Sequence, residues 1–385
     1  MCADARRSAR LRWGSRCADG ARSCPYPRVR MCARRTQRHF LRLAASSCLA
    51  AIFLAGCQAP PPADDAAGAE AAVQPSLRLP DVSGMARCDD GTYVVVHDAR
   101  TPSEPRAGIV TITGTTAPTF ESIAIRDEAL PGGQLADIEA LAALPRRPRE
   151  FLALESGSAA EGRAPRRLLV HLRLVPTASG GMELRVAGAV DVLDATAALE
   201  NCEGLACWAH NGEIRVLLAD RGRVRPRHEP AEVAMVAGTV VLGGVEAIDA
   251  QPARDAAGAT ESLRFIPRPS AGGLSLRVPL KAAGTWRLCS DLHLDPEGAL
   301  WGACAQDLGA AGPFRSRIYR AGDIDPAGGW PRLRAAVFEH DVDGLKVEAL
   351  AACDLLRASL CFATDDEFYG GVWRPLRASS QGETR

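Results

Sequence analysis

Residues 201–220 read NCEGLACWAHNGEIRVLLAD, and this stretch decides the fold. Two short apolar runs flank Asn211-Gly212, a pair of residues that favours a tight turn between antiparallel strands. The motif NCEGL has close copies in DIEAL (137–141) and KVEAL (346–350). Looser copies, with serine in place of the glutamate, begin at Asp81 and Leu288. The sequence therefore predicts a fold that repeats one hairpin.

The run 137–144, DIEALAAL, alternates between two faces in the manner of a β-strand. Glu139 and Leu141 fall on one face, whereas Ile138 and Ala140 fall on the other. A helix is the competing interpretation, because alanine and leucine are strong helix formers. These runs are short and end in turn signals, which favours strands.

The spacing of the copies predicts the number of repeats. A sixth, weaker copy, VEAIDA, starts at Val245. The repeated position is then occupied by Ser83, Glu139, Glu203, Glu246, Ser290 and Glu348. Intervals of 43 to 64 residues are typical of propeller blades with several strands each. We therefore expect an all-β fold, a single β-propeller of six blades. Five blades is the alternative, in which the 87 residues from Glu203 to Ser290 make one blade.

Further segments are predicted as outer strands or as short helices. Strand-like alternation marks residues 109–113, 168–175, 182–192 and 273–278. Helical composition is confined to residues 194–200 and 332–338. Residues 76–79 are predicted to close the ring by adding a strand to the blade that starts near Glu348.

Charge is distributed unevenly along the chain. Residues 1–56 contain 12 arginines and two acidic residues, although the whole chain has 46 basic and 46 acidic side chains. From Cys57 onward, 34 basic residues face 44 acidic ones, a formal charge of about −10. This excess of negative charge argues against nucleic acid and against an anionic membrane surface as partners.

Residues 31–57 resemble a bacterial lipoprotein signal. Arginines precede an apolar run, 43–56, that is too short to span a bilayer. The run leads into Leu54-Ala55-Gly56-Cys57, which is similar to a lipobox, and the resemblance implies that Cys57 is lipidated. The alternative is an ordinary secretory signal followed by a chance cysteine.

The resemblance divides the chain into four parts. Residues 1–30 are interpreted as an over-extended start, 31–56 as the signal peptide, 57–75 as a disordered tether and 76–385 as the propeller domain. Gln58 stands where a retention signal would place aspartate, so the family expectation is lipid anchoring in the outer membrane. We expect a monomer in the cell envelope, attached to the membrane through its N-terminal lipid.

The repeated glutamates are the candidate functional residues. The first strand of each blade lies innermost, so Glu139, Glu203, Glu246 and Glu348 are expected to converge near the axis. Carboxylates gathered in a low dielectric must be protonated, hydrogen-bonded or neutralised by a cation. A hard ion such as Ca²⁺ would satisfy them. Alternatively, each glutamate accepts backbone N–H bonds from the neighbouring blade and locks the blades together.

The motifs DIEAL, NCEGL and KVEAL resemble the phytase-like, esterase-like β-propeller family. More loosely, they are similar to the six-bladed Ca²⁺-dependent lactonases and phosphotriesterases. The resemblance implies a polar channel, with Ca²⁺ as the candidate cofactor and hydrolysis of an ester or phosphoester as the candidate reaction. Glu203 and Glu348 are then the candidate metal ligands. Ser83 and Ser290 depart from the pattern because they lack the acid.

Other polar residues offer weaker candidates. Residues 339–344, EHDVDG, are similar to a calcium loop but lack its final glutamate, so a solvated acidic turn is favoured. His97 and His293 are candidate bases, with buried, hydrogen-bonded histidines as the alternative. Acidic residues that end the second strands are predicted to cap blade edges or to line a channel mouth: Asp98, Glu155, Asp220, Asp307 and Asp365.

Seven cysteines follow Cys57. In an oxidising compartment, cross-strand disulfides are expected. Cys289 with Cys304, and Cys353 with Cys361, each sit on the two arms of one hairpin. Because seven is odd, at least one thiol stays free.

Two function classes remain open from the sequence. The first is binding of a small polar ligand or a protein partner by the propeller loops. The second is a Ca²⁺-dependent ester or phosphoester hydrolase. The chain has no G-x-S-x-G elbow, HExxH, P-loop or GxGxxG motif, and this absence favours binding.

Overall fold

The computed structural model places strands along nearly all of the chain that it describes. It describes residues 77–88, 91–98, 104–112, 118–128, 130, 133–157, 166–222, 231–243, 262–269, 274–280, 286–306, 308–355 and 358–377. Within these ranges the helical elements are two single 3-10 turns, Asp194–Thr196 and Glu367–Tyr369. No helix in the described part is long and apolar enough to cross a membrane. The predicted all-β class is confirmed.

The strands form five antiparallel blades. Strand β1 (Leu77–Leu79) precedes the first blade, which contains β2 (Gly84–Arg87), β3 (Thr92–Val96), β4 (Ala107–Thr111) and β5 (Thr119–Arg126). The second contains β6 (Ile138–Ala143), β7 (Glu150–Glu155), β8 (Leu168–Pro176) and β9 (Met182–Asp191), and β9 pairs in parallel with β5, so that the outer strands of the first two blades join them into one eight-stranded sheet. The third contains β10 (Cys202–His210), β11 (Glu213–Asp220), β12 (Ala231–Leu242), β13 (Leu263–Pro267) and β14 (Leu274–Val278).

The last two blades complete the ring. The fourth contains β15 (Trp286–Leu294), β16 (Ala299–Gln306), β17 (Arg315–Ile324) and β18 (Pro331–Asp343). The fifth contains β19 (Val347–Ala352), β20 (Ala358–Thr364) and β21 (Gly371–Arg377), and β1 pairs with β21 at its outer edge. The predicted ring closure by residues 76–79 is therefore confirmed, since Leu77 faces Trp373 in that pairing.

Five apolar clusters fill the five boundaries between neighbouring blades. Ala86 of β2 and Leu141 of β6 share one cluster, and Ala140 of β6 shares the next with Leu205 of β10. The remaining boundaries are filled in the same way, through the pairs Ala206–Leu292, Ala303–Leu350 and Ala349–Met85. The inner strands β2, β6, β10, β15 and β19 contact one another in this order, and β19 contacts β2. The ring is thus closed by five blades.

The expectation of six blades is wrong, and the alternative of five is confirmed. Strand β12 is long enough to pair with β13 along one half and with β14 along the other. This split outer edge explains how 87 residues fit into one blade. The weak copy at Val245 and the candidate Glu246 lie outside the described residues.

The predicted outer strands are confirmed and a predicted helix is wrong. Strands β4, β8, β9 and β14 begin and end within two residues of the predicted bounds.

Residues 332–338, predicted as a helix, belong instead to β18, where pairing with β17, such as Tyr319 opposite Phe338, overrides helical composition. The acidic turn predicted for residues 339–344 is also wrong, because residues 339–343 continue β18 and Asp341 and Asp343 pair with arginines of β17. Of residues 194–200, only Asp194–Thr196 forms a helical turn.

Candidate functional site

Each repeated glutamate in the described part of the chain is the extra residue of a one-residue β-bulge. Ile138 and Ala140 pair with consecutive residues of β7, so Glu139 has no partner position in the register. The same irregularity leaves Glu203 unpaired in β10 and Glu348 unpaired in β19. A bulge re-aims the side chain of the extra residue. The motif x-x-E-[AG]-L is therefore a bulge motif.

The small residue after the glutamate is required by close packing of the inner strands. A Cβ atom on Gly204 would lie 2.9 Å from Cys289 Sγ of the next blade. A Cβ atom on Gly84, which follows Ser83, would lie 2.7 Å from Leu141 N of the neighbouring blade. Larger side chains at these positions would push neighbouring blades apart.

The bulges open onto a cavity of about 190 Å³, here called the axial cavity. Every blade contributes to its lining, and the lining side chains are all polar or charged. They are Asp98, Asp137, Glu139, Asn201, Arg221, Arg287, Lys346, Glu348, Asp365 and Glu367. The structure thus brings together two predicted glutamates, Glu139 and Glu348, with two of the predicted strand-end acids.

One half of the axial cavity contains paired charges. Arg287 Nη1 lies 2.6 Å from Glu348 Oε1 and 3.8 Å from Glu203 Oε1. Arg221 Nε lies 3.2 Å from the same Glu203 oxygen. Glu203 is buried behind these arginines and interacts with them, although it does not itself line the cavity.

Lys346 joins three acids of the fifth blade. Its fully buried Nζ donates to Asp365 Oδ2 at 2.7 Å and to Glu367 Oε1 at 2.8 Å, and it lies 3.2 Å from Glu348 Oε1. Burial alone would lower the pKa of Lys346, but Glu348 and Asp365 raise it above its ordinary value. The lysine therefore stays charged.

The other half of the cavity is acidic. Carboxylate oxygens of Asp98, Asp137 and Glu139 all lie within 4.8 Å of one another. Burial, followed by the charges of Glu203 and Asp137, raises the pKa of Glu139 well above its ordinary value. This half favours either protons or a cation.

The paired carboxyls are also shifted upward. Burial raises the pKa of Glu203 to about 7, against the opposing charge of Arg287. Burial likewise raises the pKa of Glu348 to about 8. Asp81 reaches about 7 through burial and the charges of Asp365 and Glu367. The site therefore holds carboxyls that exchange protons near neutral pH.

The remaining predicted site residues have structural partners. Glu155 accepts from Ala136 N and Arg166, and Asp220 accepts from the backbone of Asn201. His97 is buried with Nδ1 2.7 Å from Asp81 O, and burial lowers its pKa, so the buried, hydrogen-bonded interpretation fits. Asp307 lies outside the described residues.

Blade locking is carried by Asp291, which the sequence did not single out, and by Ser290, which holds the repeated position without the acid. Asp291 Oδ2 accepts the backbone N–H of Leu350 at 2.7 Å, and Ser290 Oγ donates to Val347 O at 2.7 Å. Both bonds cross from the fourth blade to the fifth. The hydrogen bonds described for Glu203 and Glu348 come from the side chains of Asn201 and Arg287.

A second cavity, of about 320 Å³, lies farther along the same inner strands. It is lined by residues 85–88, 141–143, 205–207, 292–294 and 351–352, so all five inner strands contribute. His293 belongs to this cavity, and burial lowers its pKa to about 4, which keeps the imidazole neutral. His293 therefore lies apart from the acidic residues of the axial cavity.

The cationic residues of the site were missed from the sequence. Arg221 follows a strand end, Arg287 precedes a loose copy of the repeat, and Lys346 begins the motif KVEAL. A usable signal was present in Lys346, since only one other lysine, Lys281, follows Cys57. A lysine two residues before the repeated glutamate indicates an ion pair at the bulge.

Comparisons with known proteins add little beyond the fold. No family model matches the chain, and no curated protein matches it. A search of solved structures finds a member of the GH130 family of mannoside phosphorylases, a family said to contain glycoside hydrolases that target β-1,2 mannosidic linkages in Candida mannan. The two chains are 13% identical, with a TM-score of 0.41 over 78% of this chain and 86% of the other. No statement about activity follows from this likeness.

Proposed function

We propose that this protein is an exported, lipid-anchored β-propeller that binds a small polar ligand in the axial cavity. The observation that supports the proposal is the convergence of polar and charged side chains from all five blades on one cavity. Buried charges are expensive to keep unless they are paired or serve a site. The anchoring part of the proposal is supported by the resemblance of residues 31–57 to a lipoprotein signal.

The cavity is more polar than blade packing requires. The clusters between the blades already hold the inner strands together with apolar side chains. Ionisation of several buried carboxyls with raised pKa values opposes folding near neutral pH, because their charged forms are disfavoured inside the protein. Retention of such groups at one point favours a binding role.

A Ca²⁺-dependent ester or phosphoester hydrolase is the second candidate. The observation that favours it is the group of oxygens from Asp98, Asp137 and Glu139, which are ligands that hard cations prefer. The fit is poorer at Glu203 and Glu348, because Arg287 and Lys346 would repel the ion there. The role of those two glutamates as metal ligands stays a prediction. A bound calcium ion would polarise an oxygen atom of the substrate.

Ligand-dependent melting of the full-length protein tests the proposal. Compounds to compare are amines, carboxylates, phosphate, monosaccharides and calcium chloride, each at millimolar concentration. We expect at least one to raise the melting temperature, because a ligand stabilises the state that it binds. Glu139→Gln should remove the shift. Glu339→Gln, which changes an exposed acid on β18, should leave it intact.

The proposal fails if no compound class shifts the wild-type protein. It also fails if shifts occur equally in wild type and Glu139→Gln, because binding would then lie elsewhere. A shift produced by calcium alone, together with hydrolysis of a model ester, would favour the second candidate.

A further inference from the structure

Three buried oxygens around the axial cavity have no hydrogen-bond partner. They are Asn201 Oδ1, Glu203 Oε2 and Asp81 Oδ1. Asn201 lines the cavity, Glu203 acts electrostatically on Glu139, and Asp81 acts on Asp365 and Glu367. All three are acceptors, and Glu203 is only 2% exposed. A buried acceptor without a donor is rare in native proteins and asks for an explanation.

The cations of the cavity are already paired with carboxylates. Arg221 contacts Glu203, Arg287 contacts Glu348, and Lys346 contacts the acids of the fifth blade. An anionic ligand would have to share these cations with the carboxylates and would be repelled by them. A ligand that donates hydrogen bonds finds an open acceptor instead, Asn201 Oδ1, beside the acidic half formed by Asp98, Asp137 and Glu139.

An exposed aromatic pair directly follows a lining residue of the same cavity in the chain. Phe368 and Tyr369 are 82% and 63% exposed, and they follow Glu367, which lines the cavity. The turn that contains this pair, Glu367–Tyr369, is held by two hydrogen bonds of Glu367. The backbone N–H of Glu367 donates to Asp365 Oδ1 at 3.1 Å, and the carboxylate of Glu367 accepts from Lys346 at 2.8 Å. Large apolar side chains left exposed next to a cavity mark an interaction site.

We infer that the axial cavity binds an organic cation, with an ammonium or amidinium head at Asn201 Oδ1 and the acidic half of the cavity and an apolar body against Phe368 and Tyr369. The inference rests on the proposed function and names its ligand class. The head supplies the donor that Asn201 Oδ1 lacks and neutralises the acidic half. The body covers the aromatic pair, and a cation near an aromatic face is further attracted to it.

Benzamidine and benzamide make a matched pair of probes for this inference. They have nearly the same shape, but only benzamidine is charged at neutral pH. Titration calorimetry of the full-length protein should show benzamidine binding at least about tenfold more tightly, as expected when a charge-assisted hydrogen bond is lost. Glu139→Gln should weaken benzamidine binding by a similar factor.

Phe368→Ala tests the aromatic part without disturbing the core. It should weaken benzamidine binding several-fold and leave methylamine binding unchanged. Val337→Ala removes another exposed apolar side chain, on β18, and serves as the control that should change neither. Circular dichroism of each variant checks that the fold is retained.

Contrary results separate this inference from the proposed function. If phosphate, a sugar or calcium binds in a Glu139-dependent manner and benzamidine does not, the cavity is a polar site but the inferred ligand class is wrong. Equal binding of benzamide and benzamidine also overturns the inference. If none of these probes binds, both proposals fail.

Discussion

Arg287 donates from Nη1 to Glu348 Oε1 over 2.6 Å, across the boundary between the fourth and fifth blades. The same guanidinium group lies 3.8 Å from Glu203 of the third blade. One arginine therefore connects two bulge glutamates from different blades. Both glutamates are buried, so the arginine is needed to balance their charge wherever they are ionised.

Removal of this arginine should destabilise the propeller strongly. Arg287→Met leaves Glu203 and Glu348 with less compensating charge, and breaking a buried pair from one side costs about 3–5 kcal/mol. Urea unfolding monitored by tryptophan fluorescence measures the change. Arg315→Met, which breaks an exposed pair with Asp343, should cost less than about 1 kcal/mol. Equal losses in the two variants would contradict the importance of the buried pair.

Addition of Glu348→Gln to Arg287→Met should recover part of the lost stability. The amide removes one of the two charges that the arginine balanced. Since the residues are in contact, their effects should not add. A strictly additive double variant would show that the 2.6 Å contact contributes nothing measurable.

The carboxyls of the site should make stability fall as pH rises. Glu203, Glu348 and Asp81 have folded-state pKa values raised to about 7, 8 and 7, above their ordinary values. Between the unfolded and folded values the native state holds more protons, so this contribution is full below about pH 4 and is lost as pH rises through 7 to 8.

The comparison of wild type with a variant isolates this contribution. Other carboxyls, such as Glu150 and Glu183, have lowered pKa values and act in the opposite direction at acidic pH. The difference in melting temperature between Glu348→Gln and wild type should therefore grow in favour of the variant from pH 5 to pH 8. A difference that is flat with pH would contradict the raised pKa of Glu348.

Calcium should distinguish the two halves of the cavity. If an ion binds at Asp98, Asp137 and Glu139, saturating calcium at one hundred times its dissociation constant stabilises the domain by about 2.7 kcal/mol. Chelator should reverse a melting shift of several degrees. Glu139→Gln should abolish the shift, and Glu348→Gln should preserve it. If Glu348→Gln abolished the shift and Glu139→Gln preserved it, the result would support Glu203 and Glu348 as the ligands instead. A curve that chelator and calcium leave unchanged would rule out a calcium site.

Cys353 and Cys361 should form a disulfide in an oxidising compartment. The Cys353 thiol lies within hydrogen-bonding reach of Cys361, which lowers its pKa to about 6 and favours the reactive thiolate. Exchange with an oxidised dithiol would transfer two electrons to that partner and join the two sulfurs. Peptide mass analysis with and without reduction measures the bond, and Cys353→Ser is the control.

The second predicted cysteine pair, Cys289 and Cys304, differs in that burial raises the pKa values of both thiols. Cys289 Sγ is directed to Asp291 O at 3.6 Å, and burial raises its pKa well above the ordinary value. Cys304 is likewise buried, and burial raises its pKa to about 12. Thiols that stay protonated exchange slowly, so Cys289 and Cys304 should remain reduced where Cys353 and Cys361 are joined.

The fold was largely predictable because the hairpin motif repeats. Alternation in DIEAL and its copies identified the inner strands, and the terminal closing strand followed from the incomplete last blade. The blade count was not predictable in the same way. A weak copy at Val245 resembled a blade start, whereas the deciding feature is the split pairing of β12 with two short strands.

The site was predictable only in its glutamates. Their repetition indicated convergence, and the structure brings Glu139, Glu203 and Glu348 together through three bulges. The compensating Arg221 and Arg287 lie at strand ends. Which carboxylate each of them contacts depends on the position of the neighbouring blade. Sequence periodicity does not contain that information, because the contacts join residues such as Arg287 and Glu348 that are far apart in the chain.

Replacement of the candidate lipidated residue tests the anchoring proposal. Residues 1–76 lie outside the described part of the chain, so the argument rests on Leu54-Ala55-Gly56-Cys57 after a short apolar run. Lipidation requires the thiol of Cys57, to which the acyl-bearing group is attached. In Cys57→Ser, the precursor should therefore remain unprocessed at this site and should not incorporate labelled palmitate.

The matched control is Cys48→Ser, which changes a cysteine inside the apolar run and leaves Cys57 in place. This variant should be processed and labelled like the wild type. Membrane fractionation and palmitate labelling of all three proteins measure the outcome. If Cys57→Ser were processed and partitioned as the wild type does, the segment would act as an ordinary secretory signal, and the lipid anchor would be excluded while the propeller and its axial cavity would be unaffected.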